Sequence, residues 1–425
     1  MSVKSNTLSL INTGRIAISV IAIVVCFFLM LLSARYGFSR LLSRYGVIAM
    51  SLPATTEAIR LAPLDADAHR AQATVFTKFQ MYPEARRELE VAASLRPHDD
   101  YVWLELGMIR DEVGDSQGAL KALDRAVENA PFYAHTRWQR ANLRLRLGRY
   151  DEAFAELRSA ADSNHRFLPT LIDLAWNLSG QSAQVTKQLA GIESTASRIE
   201  FARFLARKGR GQETLEEFRQ VSTEMAPVYR NEVVRELIAT KQFAEAFEIW
   251  RYASADKPIE NPAVYDGGFE GPITFSEAGF GWRILHDPKL DVSQDGFDKD
   301  AGTRSLRIIF NGHSVTPDAI VSQFIILRAQ AQYRISFAFK TDRLITGSPL
   351  ILQVSDAASN QALKDFEIPP ENAWRRQSFD FVAPASCAAI QLKLIRKGCS
   401  TGPCQIFGTL WLDSFSIEQV HNEKL

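Results

Sequence analysis

The feature that most limits the folds open to this 425-residue chain is a 34-residue repeat between residues 54 and 255, where strand-like patterns are almost absent. At this period, small or apolar residues recur in four columns: Ala73, Gly107 and Ala141; Ala85, Ala119 and Ala153; Leu89, Leu123 and Leu157; and Ala58, Ala92, Ala126 and Ala160. Pro63, Pro97 and Pro131 close the units, because proline cannot donate the helical hydrogen bond. Small residues let antiparallel helices approach closely, so the pattern predicts stacked helix pairs.

This pattern resembles the tetratricopeptide repeat, whose period and small-residue columns it matches. Clear units run over 66–99, 100–133 and 134–167, an earlier partial unit precedes them, and degenerate units follow over 168–255. The resemblance implies an all-α solenoid over 54–255 with a concave groove lined by the first helix of each unit. Carried onto this sequence, the groove positions are Arg70, Thr74, Tyr101, Leu104, Met108, His135, Trp138 and Asn142. Such a groove suits a protein partner; the alternative is that these are the less buried faces of packed helices.

The N-terminal segment 16–34 has no charged residue and is bracketed by Arg15 and Arg35. At about 1.5 Å per residue it spans roughly the 30 Å hydrocarbon core of a bilayer. We therefore predict a transmembrane signal-anchor helix at 16–34, after a short tail at 1–15 and before a juxtamembrane linker at 35–53. A cleaved signal peptide is the rival interpretation, although Leu32 is large for a cleavage site and the apolar run is long.

The sequence pattern changes after a linker at 256–262. "YRISFAFK" alternates apolar and polar residues, and "AIQLKLIR" repeats this alternation between Gly, Pro, Asn and Asp turns. The region 263–420, before a tail at 421–425, is therefore predicted to be a two-sheet antiparallel sandwich. The predicted fold is multidomain: a transmembrane helix, an all-α tetratricopeptide-like solenoid and an all-β jelly-roll sandwich.

The sandwich region opens with "YDGGFEGP", continues with "GFGW" and closes with "GTLWLDSFSIEQ". That order resembles the jelly-roll, galactose-binding-like carbohydrate-binding modules. The resemblance implies a structural calcium held by Glu270 and Asp413, since oxygen ligands suit this cation; the alternative is exposed or turn-capping carboxylates. It also makes Trp282 the candidate sugar platform, with Trp374 and Trp411 expected to pack in the core. An obvious row of exposed aromatic residues is lacking, so a sandwich that contacts a second protein stays open.

Cys399 and Cys404 flank four turn-forming residues between two predicted strands, which favours a disulfide over two idle thiols. Cys26 lies within the apolar segment, and Cys387 is expected to be buried. Disulfides persist in oxidising compartments, so this pair favours a single-pass inner-membrane protein whose bulk is periplasmic. The flanking basic residues lean weakly toward the opposite orientation.

Forty-nine basic residues balance forty-nine acidic ones, which gives no argument for nucleic acid as a partner. No nucleophile, phosphate-loop or metalloprotease motif occurs, so we predict no catalytic residues, no cofactor besides the implied calcium, and no enzyme activity. The favoured function is a membrane-anchored scaffold that binds a protein partner and contacts glycan or a second protein. By analogy with this domain pairing, a role in assembly or export of a bacterial cell-surface polysaccharide follows. The alternatives are a glycan-active enzyme using Asp295, Asp298 and Asp300, and a cytoplasm-facing adaptor without a glycan role.

Overall fold

The computed structural model describes residues 4–252, 261–275, 277–287, 290–312, 319–397 and 405–420, with side chains from residue 19 onward. Helices fill its first part, and two antiparallel sheets fill its last part, which confirms the predicted fold class. The chain packs as two compact units, residues 1–178 with 188–191, and residues 179–187 with 192–425. Within the described residues, one helix is long and apolar enough to cross a membrane, over Ser19–Ala49.

The helices of the first unit form antiparallel pairs at the predicted period. They are α1 Lys4–Ala49, α2 Leu52–Leu61, α3 Ala66–Lys78, α4 Tyr82–Leu95, α5 Asp100–Glu112, α6 Ser116–Asn129, α7 Ala134–Arg146, α8 Tyr150–Ser163 and α9 Leu168–Leu178. The residues of all four predicted columns are buried. The side chains of Asp65 and Asp99 cap the first turns of α3 and α5 by accepting backbone N–H bonds. A Cβ on Gly107 would lie 2.7 Å from Leu123 Cγ, so helices α5 and α6 touch where only glycine fits.

Helix α1 continues without a break from the apolar segment into the first helix pair of the solenoid. Ser39 is fully buried, and its hydroxyl donates to the carbonyl oxygen of Ala58 on α2 at 2.8 Å. Two turns further on, a Cβ on Gly46 would lie 2.5 Å from Thr55 Cγ2. Residues 35–49 are therefore helical and pack on α2. The prediction of a juxtamembrane linker at 35–53 is wrong over these residues. Ser39 stands 34 positions before Ala73, so the small-residue column extends one unit further than we predicted.

Helix α10, Ala183–Ala190, falls where the two units divide, and the second unit continues with α11 Thr195–Arg207, α12 Gly211–Val221, α13 Pro227–Ala239 and α14 Phe243–Arg251. Helices α9 to α14 correspond to the degenerate units predicted over 168–255.

The sandwich of the second unit is built from ten described strands: β1 Arg283–Ile284, β2 Leu290–Asp295, β3 Ser305–Asn311, β4 Val321–Ile326, β5 Gln332–Thr346, β6 Leu350–Asp356, β7 Ala362–Ile368, β8 Arg375–Val382, β9 Ala389–Arg396 and β10 Ile406–Gln419. One sheet has the order β1-β4-β9-β6-β7 and the other β2-β3-β10-β5-β8. Alternate side chains of both sheets fill one core, with Tyr333, Phe337 and Phe339 of β5 fully buried in it.

Strands β9 and β10 flank the segment that carries Cys399 and Cys404, and they belong to different sheets, so they do not pair with each other. Across the ends of this segment, the guanidinium of Arg396 donates to the carbonyl oxygen of Gln405 at 2.8 Å. Cys399 and Cys404 lie outside the described residues, so their disulfide stays a prediction. Cys387 is buried as expected, and burial raises the pKa of its thiol to about 12, which keeps it protonated.

The last helices of the second unit share a hydrophobic cluster with its sandwich. On α14, Phe243 packs against Phe324 of β4, and Phe247 packs against Phe280. A Cβ on Gly279 would lie 2.7 Å from Ile238 Cδ1 of α13. These contacts bury aromatic surface between α14 and β4, so the end of the helical region is built into the sandwich.

Candidate functional site

The first unit has a groove between the end of α1 and helices α3 and α5. Its cavity volume is about 540 Å³. The lining combines basic, acidic and aliphatic side chains: Arg40, Ser43, Arg44, Val47, Ile48, Asp67, Arg70, Ala71, Thr74 and Glu105. A smaller cavity of about 140 Å³ shares Thr74 and Glu105 with it and extends to Lys78 and Met108. We call the two together the α1–α5 groove.

An ion pair crosses this groove between α3 and α5. Arg70 Nε donates to Glu105 Oε2 at 2.8 Å, and the Arg70 guanidinium lies 4.5 Å from the centroid of the Tyr101 ring. Burial raises the pKa of the Glu105 carboxyl, while the hydrogen bond from Arg70 acts against that rise. The guanidinium is thus held in place by an acid on one side and an aromatic face on the other.

A second charged group lies beside the first, at the α1 side of the groove. Arg40 approaches Asp65 and Asp67, at 3.4 and 3.8 Å, and Arg96 also donates to Asp67 at 2.8 Å. Arg44 is exposed at the rim, and no acidic side chain pairs with it within the described residues. The groove therefore offers two exposed cations to an acidic ligand group, Arg44 at the rim and Lys78 in the smaller cavity.

The structure brings four of the eight predicted groove residues together. Arg70, Thr74 and Met108 line the α1–α5 groove, and Tyr101 stacks on Arg70 at its edge. His135 and Asn142 are half-buried on α7 and line neither cavity.

Two predicted groove residues face the helical core, which is a correction. Leu104 is 2% exposed and packs among Ala119, Leu120 and Leu123 of α6. Trp138 is buried, and its ring stacks on Phe167 with centroids 4.8 Å apart. Both are large apolar side chains, and burying them in the helical core removes more surface from water than a groove position would.

The sequence analysis missed the contribution of α1. Arg40, Arg44, Val47 and Ile48 line the groove because residues 35–49 act as the first helix of an extra repeat. Ser39 in the small-residue column is the signal that could have revealed them.

In the sandwich, the carboxylates of Glu270 and Asp413 lie on either side of Gly268. A Cβ there would be 3.9 Å from Glu270 Oε1 and 3.8 Å from Asp413 Oδ1. Asp413 is fully buried, and its Oδ2 accepts from the backbone N–H groups of Asp300 and Ala301 at 2.8 and 3.1 Å. Burial raises the pKa of Asp413, against the effect of these donors.

The same two carboxylates hold the loop between β2 and β3. Glu270 Oε1 accepts from the backbone N–H of Thr303 at 2.7 Å, and the Thr303 hydroxyl donates to the other oxygen. Among the described residues, no group of three or more His, Cys, Asp or Glu side chains is placed to hold a metal. Calcium is bound by six to eight oxygen ligands. Glu270 and Asp413 instead accept backbone N–H bonds that anchor the β2–β3 loop, an arrangement that we call the loop latch. The calcium site stays a prediction.

Trp282 is not a surface platform in this structure, which corrects the sugar-binding prediction. Its ring stacks on Phe269 with centroids 4.8 Å apart, and its indole N–H donates to the carbonyl oxygen of Asp266 at 2.9 Å. Trp411 is also buried, as expected, and donates to Asp295 at 3.0 Å. Trp374 is half-buried.

The three aspartates of the enzyme alternative each have partners. Asp295 accepts from the backbone N–H of Phe297 at 2.9 Å, Asp298 pairs with Lys340 at 2.5 Å, and Arg376 donates to Asp300 at 3.1 Å. These contacts anchor the β2–β3 loop, which is the role that the geometry supports for them.

No protein-family model matches the chain, and no curated protein matches it. Among solved structures, one described as "CBM4 structure and function" is 15% identical with a TM-score of 0.29, covering 37% of this chain and 99% of that one. "Crystal structure of MamA protein" is 15% identical with a TM-score of 0.33, covering 46% of this chain and 96% of that one. "MamA MSR-1 C2" is 18% identical with a TM-score of 0.28, covering 32% and 78%. Similarities of this size carry nothing about ligands, so the class of the protein, a helical-repeat solenoid joined to a β-sandwich, rests on its own helices and strands.

Proposed function

We propose that this chain is a membrane-anchored, non-enzymatic scaffold whose α1–α5 groove binds an extended segment of a protein partner. The observation that carries the proposal is the groove itself, a cavity of about 540 Å³ formed by the first helices of three successive repeats. Its floor combines the fixed Arg70–Glu105 pair with aliphatic Val47, while Arg44 and the 74% exposed Ile48 stand at the rim. This mixture suits a peptide that carries a carboxylate beside an apolar side chain.

A photo-cross-linking amino acid at position 108 tests the proposal in intact cells. Met108 lines the groove and is 44% exposed, whereas Val91, on the second helix α4, is 40% exposed and lines neither cavity. We expect a discrete cross-linked product from position 108, none from position 91, and loss of the product when Arg44→Glu is added. The same products from both positions, or a product indifferent to Arg44→Glu, would contradict the groove.

For the sandwich, we propose contact with a glycan or a second protein, in the assembly or export of a bacterial cell-surface polysaccharide. The order of its opening and closing motifs supports this through the resemblance to carbohydrate-binding modules. Retention of the detergent-purified full chain on immobilised surface polysaccharide tests it. Failure to bind any polysaccharide would leave the sandwich as a protein-contacting module and remove the glycan role.

We place the bulk of the chain on the periplasmic side of the inner membrane, supported by the predicted Cys399–Cys404 disulfide. A phosphatase reporter fused after Leu425, active only when exported, tests the orientation. Activity only of a matched cytoplasmic reporter would favour the cytoplasm-facing adaptor.

A further inference from the structure

Helix α1 carries an apolar stripe that no other part of the described chain covers. Large apolar residues and one alanine recur at alternating spacings of four and three, and all are exposed: Val20, Val24, Phe27, Leu31, Ala34, Phe38, Leu41, Tyr45 and Ile48. We call this set the α1 stripe. A spacing that averages 3.5 residues is typical of the seam of a left-handed coiled coil.

The stripe does not end where the predicted span ends. At about 1.5 Å per residue, Leu41 lies roughly 10 Å and Ile48 roughly 21 Å beyond Ala34 along the helix axis. The headgroup layer adds only about 5–8 Å on each side of the hydrocarbon core. Tyr45 and Ile48, which are 59% and 74% exposed, therefore stand in water and not in lipid. Lipid cannot be what covers them.

The opposite face of the same helix is already occupied. Ser39, Ser43 and Gly46 face away from the α1 stripe, and Ser39 and Gly46 meet α2. In a heptad the stripe takes the two core positions, and these three residues take outer positions. The first repeat can therefore fold while the stripe stays free for another helix.

We propose that the α1 stripe is the interface for a second copy of this chain, in a parallel dimer of α1 helices. A shared span fixes every copy in one orientation and at one depth, so each Leu41, Tyr45 and Ile48 stands level with its counterpart. The flanking positions allow this register: Gly37 would face Leu42 of the second copy, and Arg44 would face Ala49. Neither pairing puts like charges together. The interface has two-fold symmetry, as closed homodimers commonly have.

Cysteine cross-linking of the full-length protein in its native membrane tests the dimer. In a Cys26→Ser background, single cysteines replace Leu41, Tyr45 or Ile48, with Arg40→Cys as the control on the same helix. Arg40 is also exposed but lies outside the stripe. Two differently tagged copies are expressed together, and mild oxidation is applied.

We expect a disulfide-linked product containing both tags at positions 41, 45 and 48, and none at position 40. We also expect Leu41→Asp with Tyr45→Asp to abolish co-purification of the two tags while leaving the circular dichroism spectrum unchanged, since both side chains are exposed and neither lines the α1–α5 groove. No doubly tagged product at the stripe, or cross-links only to a different protein, would overturn the proposal. Retained co-purification in the aspartate variant would overturn it as well.

Discussion

The indole N–H of Trp250, on the last helix α14, donates to Glu277 Oε1 at 2.8 Å. Glu277 lies six residues before β1, the first strand of the sandwich. The same carboxylate oxygen accepts the backbone N–H of Gly279 at 3.0 Å, and the Trp250 ring meets Tyr265 edge-on at 5.0 Å. One buried side chain thus satisfies polar groups and packs aromatic surface at the junction between α14 and the sandwich. This junction is structured on both sides of residues 253–260.

Truncation of this tryptophan should loosen the junction. We expect Trp250→Ala to cost about 3–5 kcal/mol, because it removes a large buried ring. Trp250→Phe should cost about 1–3 kcal/mol, because it removes one of the two donors to Glu277 Oε1. Thermal unfolding combined with hydrogen exchange of residues 243–251 measures both effects. The neighbouring exposed change Arg251→Ala is the control. Equal exchange in Trp250→Ala and Arg251→Ala would show that α14 does not depend on this contact.

Two glycines of α1 offer a paired test of the extra repeat. A Cβ on Gly46 would lie 2.5 Å from Thr55 Cγ2 and 3.2 Å from the Ser51 carbonyl oxygen, whereas a Cβ on Gly37 would meet nothing within 4 Å. We expect Gly46→Ala to destabilise the protein by about 1–3 kcal/mol through overpacking. Gly37→Ala should stabilise it by about 0.5–1 kcal/mol, because alanine is the better helix former. Thermal unfolding in detergent compares the two, and stabilisation by both changes would mean that residues 35–49 do not pack on α2.

A buried histidine should make the stability of the first unit depend on pH. His69 Nδ1 lies 2.7 Å from Glu88 Oε2, and its Nε2 lies 3.0 Å from the carbonyl oxygen of Pro63. Both partners are acceptors, so both ring nitrogens donate only when the imidazole is protonated. The hydrogen bond to Glu88 therefore raises the pKa of His69 above its ordinary value, despite the opposing effect of burial.

The sign of the pH effect follows from that direction. The stabilisation is fully present below the unfolded-state pKa of about 6.5 and is lost as pH rises through the higher folded-state pKa. We expect the melting temperature of the wild type to fall relative to His69→Gln as the buffer is taken from mildly acidic to mildly alkaline. Parallel melting curves for the two proteins across that range would rule out a protonated His69.

The buried Asp413 separates the loop-latch role from the predicted calcium site. Because Asp413 Oδ2 accepts two backbone N–H groups, we expect Asp413→Ala to cost about 1–3 kcal/mol by leaving those donors unpaired. If Asp413 acts only in the loop latch, Asp413→Ala loses the same stability with added calcium and after chelation. Thermal unfolding under both conditions measures this loss. A wild-type melting temperature that rises with added calcium, and does not rise in Asp413→Ala, would instead confirm the calcium prediction. Asp342→Ala, at a half-exposed carboxylate, is the control.

The helical architecture was readable because its signals are local and periodic. The columns that contain Ala73 and Leu89 recur in sequence, and proline after each second helix ends it at a fixed place. Ser39 carries the same signal, but it follows an apolar segment whose composition dominates the region. Helix α1 contains both the apolar segment and the first helix of a repeat. The contacts with α2 show which of its residues belong to the repeat.

The site residues were less predictable, since a side chain's direction depends on tertiary packing. Leu104 and Trp138 occupy positions where the family's groove was expected, yet their apolar bulk is buried between helices. Trp282 stands in a glycine-flanked turn that reads as exposed, but Phe269 and Phe415 cover its ring. Contacts with residues far away in the sequence, such as Phe415, cannot be inferred from the residues next to Trp282. The Arg70–Glu105 pair joins residues 35 positions apart and could be inferred only after the helices were stacked.

The unbroken course of α1 has a mechanical consequence for the groove. Each residue of an α-helix turns the chain by about 100°, with 3.6 residues per turn, so the number of residues between the apolar segment of α1 and the first repeat sets the direction in which the groove faces relative to that segment. A single residue inserted near position 34 would swing the binding face by more than a quarter turn without altering any side chain that lines it. The rotational orientation of the groove is thus fixed to the apolar segment by one continuous helix.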